Sequence, residues 1–225
     1  MGPSDLDDFG LALLDAVDGP APSRIERRDQ QVQRILEAAK ACFVRSGFQG
    51  ASMQQICAEA GMSPGALYRY FPSKEAIVEA ICAADRRENA ACFDGMLDNP
   101  SVVDGVVEAA MVHIRHLHEA GKAPLFAEIR AESLRNPAID LTCTRTMTEI
   151  GSRFHRYLAD AVERGDINPP VGFDTLLPTL MAIGEGMALN DLPRRGVPMD
   201  QLRILLGAII EGMLRPKRRT ETEAD

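Results

Sequence analysis

Apolar residues recur at intervals of three and four along most of this chain, the period of helices with one buried face. Over 30–48, Val32, Ile35, Leu36, Ala39, Cys42 and Phe43 share a side, and Gly47 stands where such a helix should stop. Ser52 can cap a short segment carrying Met53, Ile56, Cys57 and Ala60 at the same spacing. Gly61 permits a sharp turn, and Ser63 can cap a third segment whose first residue, Pro64, has no N–H to satisfy. Ser73 can cap a fourth over 74–93, and five more periodic stretches cover 101–121, 124–136, 139–165, 173–190 and 199–214. Pro178 lies inside one of these and should bend it. No stretch alternates cleanly or is enriched in β-branched residues, so no strand is expected. The pattern predicts an all-α protein of about nine helices.

Two short helices joined by a glycine turn make a helix-turn-helix, here over 52–71, with 64–70 in the position of the reading helix. The expected organisation follows from that. Residues 1–23 are acidic, close with "DGPAPS" and read as a mobile extension. Residues 24–89 form a three-helix, helix-turn-helix DNA-binding unit, and 90–214 a helical ligand-binding and dimerisation unit. A charged tail occupies 215–225.

Charge sharpens this picture. The chain of 225 residues has a net charge of −8, which argues against nucleic acid until its distribution is examined. Residues 24–87 hold ten Lys or Arg against seven acids, while 88–214 hold eleven against eighteen. The sizeable basic block surrounds the helix-turn-helix, and screening over ~10 Å makes local charge the relevant quantity. The five cysteines (Cys42, Cys57, Cys82, Cys92, Cys143) sit in apolar helical patterns without C-x-x-C pairs, as core filler would. A hydrophobic fraction of 45% supports a packed core. There is no long apolar run or signal peptide, so a cytoplasmic protein with no membrane partner is expected.

"GMSPGALYRYFPSKEAI", over 61–77, concentrates aromatic and basic groups within otherwise helical sequence. Gly65 and Ala66 at the start of the reading helix let its backbone approach base edges. Tyr68 and Tyr70 can donate to phosphates or pack on thymine methyls. Lys74 can reach the backbone as a point charge, and Arg69 can read guanine or hold a phosphate. Leu67 and Phe71 face inward in this division, leaving Tyr68, Arg69, Tyr70 and Lys74 for the duplex.

These residues carry a resemblance. "ILEAAKACFVRSGF" followed by "GASMQQICAEAGMSPGALYRYFPSKEAIVEAI" resembles the N-terminal domain of the TetR family of bacterial transcriptional repressors, over 29–89. Tyr-x-Tyr-Phe-x-x-Lys directly after the helix-turn-helix is the specific part. The resemblance implies that Ser52, Gln54 and Gln55 start the supporting helix against phosphate. It places Ser63, Pro64, Gly65, Tyr68, Tyr70 and Lys74 at the family's contact positions. It also implies a homodimer built from the last two helices, a roughly palindromic double-stranded operator, and a small-molecule effector, with efflux control as the family's analogy.

For the rest of the chain the expectations are coarser. Inward-looking positions nominate Phe93, Met96, His113, Phe126, Met147, Phe154 and Met181 as walls of an apolar effector cavity, with His113, Arg130 and Glu185 as polar groups. The helix over 74–93 joins the reading head to that region and is the expected lever. Leu177, Leu180, Gly184, Met187, Leu202, Leu206, Ile209 and Met213 are the expected dimer contacts. A metal sensor using His113 and His116, or a constitutive DNA binder, are the alternatives. No enzyme or cofactor motif is present: "GEG" at 184–186 lacks the third glycine and preceding strand of a dinucleotide site.

Overall fold

The computed structural model describes residues 23–88, 96, 99–119 and 121–217. Nine α-helices run through them: α1 (Arg24–Gly50), α2 (Met53–Glu59), α3 (Pro64–Tyr68), α4 (Lys74–Glu88), α5 (Val102–Glu119), α6 (Ala123–Ser133), α7 (Pro137–Glu163), α8 (Phe173–Leu189) and α9 (Met199–Leu214). Among the described residues the one β-pairing is a bridge between Ile167 and Pro216. No described helix is long and apolar enough to cross a membrane.

Local chemistry sets the boundaries. Ser52 accepts from the Gln55 N–H while the Gln55 side chain accepts from the Ser52 N–H, a reciprocal cap for α2. Ser63 caps α3 ahead of Pro64, and the Ala76 N–H donates to Ser73 at the start of α4. Ser23 and Glu26 form a second reciprocal cap, so α1 begins at Arg24. Gly47 interrupts α1 with φ 71° and ψ 165°, a conformation open to glycine alone, before a last turn to Gly50. Asn136 caps α7. Helix α8 stays continuous through Pro178, whose ring is exposed.

Two hydrophobic cores result. The first gathers Ile35, Leu36, Ala39, Cys42, Phe43, Ile56, Leu67, Phe71 and Ile77 from α1–α4, and takes in Leu125 of α6 with Ile139 and Cys143 of α7. The second joins α5, α7, α8 and α9 through Val106, Ile114, Leu158, Leu176, Leu202 and Leu206. Cys42, Cys57 and Cys143 are buried, and burial pushes the Cys82 thiol up to about 12, which keeps it from acting as a thiolate. Residues 215–217, expected in the charged tail, are instead tied down: the Lys217 N–H donates to the Asp166 carbonyl and the Asn168 N–H to that of Leu214. Residues 1–22, 218–225, Phe93 and Cys92 lie outside the described residues.

Candidate nucleic-acid interface and effector cavity

The helix-turn-helix presents one side to solvent. Ser52, Gln54, Gln55, Ser63, Pro64, Gly65 and Arg69 are exposed, and Ala66 is half-buried beside them. Leu67 and Phe71 are buried in the first core, whereas Tyr68 is 52% exposed. Burial thus divides the motif at these positions, with Leu67 and Phe71 inward and Tyr68 and Arg69 outward. Tyr70 is intermediate, its ring packed against the core with part of it still open.

Lys74 departs from expectation. Its Nζ donates to the carbonyls of Phe48 at 2.5 Å and Ala51 at 2.8 Å, and lies 4.4 Å from the centre of the Phe48 ring. Those carbonyls belong to the end of α1 and the turn into α2, where helix-end acceptors need donors. A group expected to reach phosphate instead clasps α4 to α1, and two of its three N–H bonds are committed there.

Beyond the head, α4 to α9 enclose a cavity of about 740 Å³. Of the expected walls, His113, Phe126, Arg130, Met147, Phe154, Met181 and Glu185 all line it. Met96 does not: it is fully buried in the second core, and its carbonyl comes within 2.8 Å of where a side chain on Gly105 would begin. Apolar walls come from Ile81 of α4, Val106 and Ala109 of α5, Ile150 of α7, Ile183 of α8 and Ile210 of α9. Burial holds the His113 imidazole below its ordinary 6.5, so it faces the cavity neutral, with its ring edge-on to Phe126. Arg130 and Glu185 pair at 3.2 Å across α6 and α8.

Other charged walls were missed in the sequence. Asp85 pairs with Lys122 at 3.0 Å, and Arg86 pairs with Glu149 at 3.0 Å and donates to Thr146 at 2.7 Å. A signal existed: Asp85 falls four residues after Ile81, on the buried stripe of α4. His116 Nε2 lies 2.9 Å from Lys122 Nζ, so it is occupied away from His113. Among the described residues no three His, Cys, Asp or Glu side chains converge as a metal site requires.

Helix α6 has two working faces. Phe126 and Arg130 line the cavity, while Leu125 and Ile129 line it and also pack against the core of the head. On the head side, Glu128 accepts from the Phe48 N–H at 2.6 Å, and the fully buried Glu132 accepts from the Gln49 side chain at 2.6 Å. The acceptors grip the segment just beyond Gly47. Besides the 74–93 helix, the expected lever, α6 is a second, direct link to the head.

The last two helices also rearrange the expected dimer contacts. Leu202 and Leu206 are buried within the single chain, where α9 packs along α5, and Leu177 and Leu180 are buried too. They are committed to the subunit's own core. Gly184, Met187, Ile209 and Met213 are intermediate. The apolar side chains left open on α9 are Ile204, 71% exposed, and Leu205, 56% exposed. Side chains added at Gly184, Gly186, Gly207 or Gly212 would meet nothing within 4 Å.

Comparison with known proteins agrees with this geometry. Residues 35–81 match the model for "Bacterial regulatory proteins, tetR family". The HTH-type transcriptional regulator UidR of Escherichia coli K12 is 32% identical over 182 residues, covering 79% of this chain and 91% of the relative. The structure of Salmonella enterica GusR superposes with a TM-score of 0.73 at 30% identity, covering 83% of this chain and 96% of that one. FadR from Bacillus halodurans, at 17% identity and a TM-score of 0.71, covers 83% of this chain and 97% of its own, and shares the fold. Exposed residues on a capped helix-turn-helix, a helical body behind it and kinship to UidR over most of both chains point one way: the chain is not an enzyme but a transcriptional regulator, and it belongs to the TetR family.

Proposed function

We propose that the chain is a ligand-responsive repressor, binding a roughly palindromic operator as a homodimer and leaving it when a small amphipathic molecule fills the cavity. The observation that carries this reading is the position of the cavity. Its walls include α4, α6 and α7, helices that also pack into the core of the head. A molecule bound there can favour one orientation of the head over another, which is the requirement for switching.

Reading is assigned to Ser52, Gln54, Gln55, Ser63, Pro64, Gly65, Ala66, Tyr68, Arg69 and Tyr70. One short helix reaches too few bases for specificity, so a second copy supplies the other half-site. Dimerisation is assigned to the outer face of α8 and α9, with Ile204 and Leu205 at its centre. The genes controlled include, in the narrowest form of the reading, an efflux system for the effector.

A gel shift with the protein's own promoter region tests the core of this. Binding that competes with specific but not random duplex, and that weakens as salt rises, is the expected result. Equal binding to both duplexes removes the repressor reading.

A further inference from the structure

The helix-turn-helix itself is short of free positive charge. Residues 24–87 hold ten bases, but five of them are engaged inside the chain. Lys40 pairs with Glu37 and Arg45 with Glu59. Lys74 clasps the Phe48 and Ala51 carbonyls, Arg86 holds Glu149, and Arg87 donates to the Ala83 carbonyl. Arg24, Arg27, Arg28, Arg34 and Arg69 are exposed, with no hydrogen bond or ion pair to their guanidinium groups among the described residues. Four of those five stand on α1, ahead of the helix-turn-helix. Duplex DNA is held by bases that displace counterions from its phosphates, and Arg69 alone offers one such contact.

The four on α1 are arranged. Arg24, Arg27, Arg28 and Arg34 recur at intervals of three, four and seven, so they share one side of the helix. Glu26 and Asp29 fall on the other side, and the Glu26 carboxylate is taken by the Ser23 N–H. Ile35 and Ala38, three turns on from Arg24 and Arg27, are buried in the first core. The arginine stripe therefore continues the inward face of α1 past the end of the head's own packing. Residues 23–30 are all exposed, Ile25 by 74%, so these turns bury nothing. The Ser23–Glu26 cap keeps them helical all the same. Arginines this early in a helix also oppose its dipole, which favours acids there. A stretch that packs on nothing and breaks that rule lacks a reason inside the fold.

We propose that the first three turns of α1 are the protein's main phosphate grip, with Arg24, Arg27, Arg28 and Arg34 laid along the backbone of the duplex whose bases α3 reads. Charge complementarity favours this occupant, and so does continuity, since α1 carries the core of the head and leads straight into α2. Arg24 to Arg34 spans ~15 Å of helix, a length over which one DNA strand presents about four phosphates. Guanidinium groups suit the task, because each can hold a phosphate through two parallel bonds. This inference rests on the chain binding duplex DNA and is independent of the cavity.

Fluorescence anisotropy across a salt series tests it, using the full-length protein with one duplex from its own promoter region and one of random sequence and equal length. Arg27→Ala with Arg28→Ala should flatten the log–log salt slope by about 2 and weaken both duplexes about tenfold at low salt. The preference between the duplexes should survive, because phosphate contacts carry no sequence. The urea midpoint should hold or rise, since cations leave a helix start. Arg194→Ala with Arg195→Ala, exposed between α8 and α9, removes the same charge elsewhere and should change the slope far less. A slope altered no more by the α1 pair than by this control overturns the proposal. So does a slope that responds to the α1 pair only after Asp5, Asp7, Asp8, Asp15 and Asp18 are changed to Asn, which makes the chain's own acids the occupant of the stripe. Binding without sequence preference, but with the slope flattened by the α1 pair, supports the grip and removes the repressor reading. Absence of binding to either duplex removes both.

Discussion

Tyr68 and Phe71 stand three positions apart, the first open to solvent and the second buried in the first core. Phe71→Ala should cost about 3–5 kcal/mol in urea unfolding, as removal of a buried ring does. Tyr68→Ala should leave that midpoint nearly unchanged and weaken operator binding in a gel shift. Lys74 belongs with Phe71. Lys74→Met leaves the Phe48 and Ala51 carbonyls without their donor, so stability should fall by about 1–3 kcal/mol. A Lys74→Met protein as stable as the parent would return this residue to the phosphate. His113 adds a pH dependence with a definite sign. Burial keeps it neutral in the folded state, while the unfolded chain protonates it at 6.5. Its contribution to stability is complete above that value and is lost as pH falls from there toward the lower folded value. His113→Leu should flatten the decline in urea midpoint between pH 7 and pH 5.

Among the elements, α6 couples the two cores, and Glu128 is its most direct hold on the head. Glu128→Ala should raise the exchange rate of the Phe48 amide hydrogen at least tenfold, read by mass spectrometry of the peptide spanning α1's end. Unchanged exchange would remove α6 as a second link. The helices themselves were legible in the sequence because each has local instructions: a serine cap, a proline at the first turn, an apolar stripe. The α6 link was not, because Glu128 looks like any solvated glutamate until folding brings it to a residue 80 positions away. The hold of Lys74 on α1 was hidden for the same reason. A lysine opening a helix beside aromatics suits phosphate equally well when the carbonyls of the preceding turn are out of sight. The cavity walls were mostly legible, since inward helical positions are periodic, but Met96 shows that an inward residue can be core rather than wall.

For the whole molecule, periodicity alone does not say which residues of the apolar stripes of α8 and α9 enter the chain's own core and which stay outside it. The fold puts Leu202 inside and Leu205 outside. Leu205→Asp combined with Ile204→Asp should therefore convert a dimer to a folded monomer by sedimentation equilibrium, with near-parental helix content. Leu202→Ala should instead lower unfolding stability by about 2–5 kcal/mol at whatever assembly state persists. A dimer that survives the double aspartate substitution would move the interface to another face.

Gly47 has a consequence for how this protein can change over generations. Its backbone angles exclude every residue with a side chain, including the asparagine that often replaces glycine in left-handed turns. The space where a side chain would begin is already held by Glu128, 3.2 Å away. The backbone angles are the barrier at this codon, and a small shift of the Glu128 carboxylate does not remove it. A lineage can drift freely through much of the exposed face of α1, yet a substitution at Gly47 strains the fold where α6 grips the head. Selection must therefore work around it, through the cavity side of α6 rather than through the grip that α6 keeps on the head.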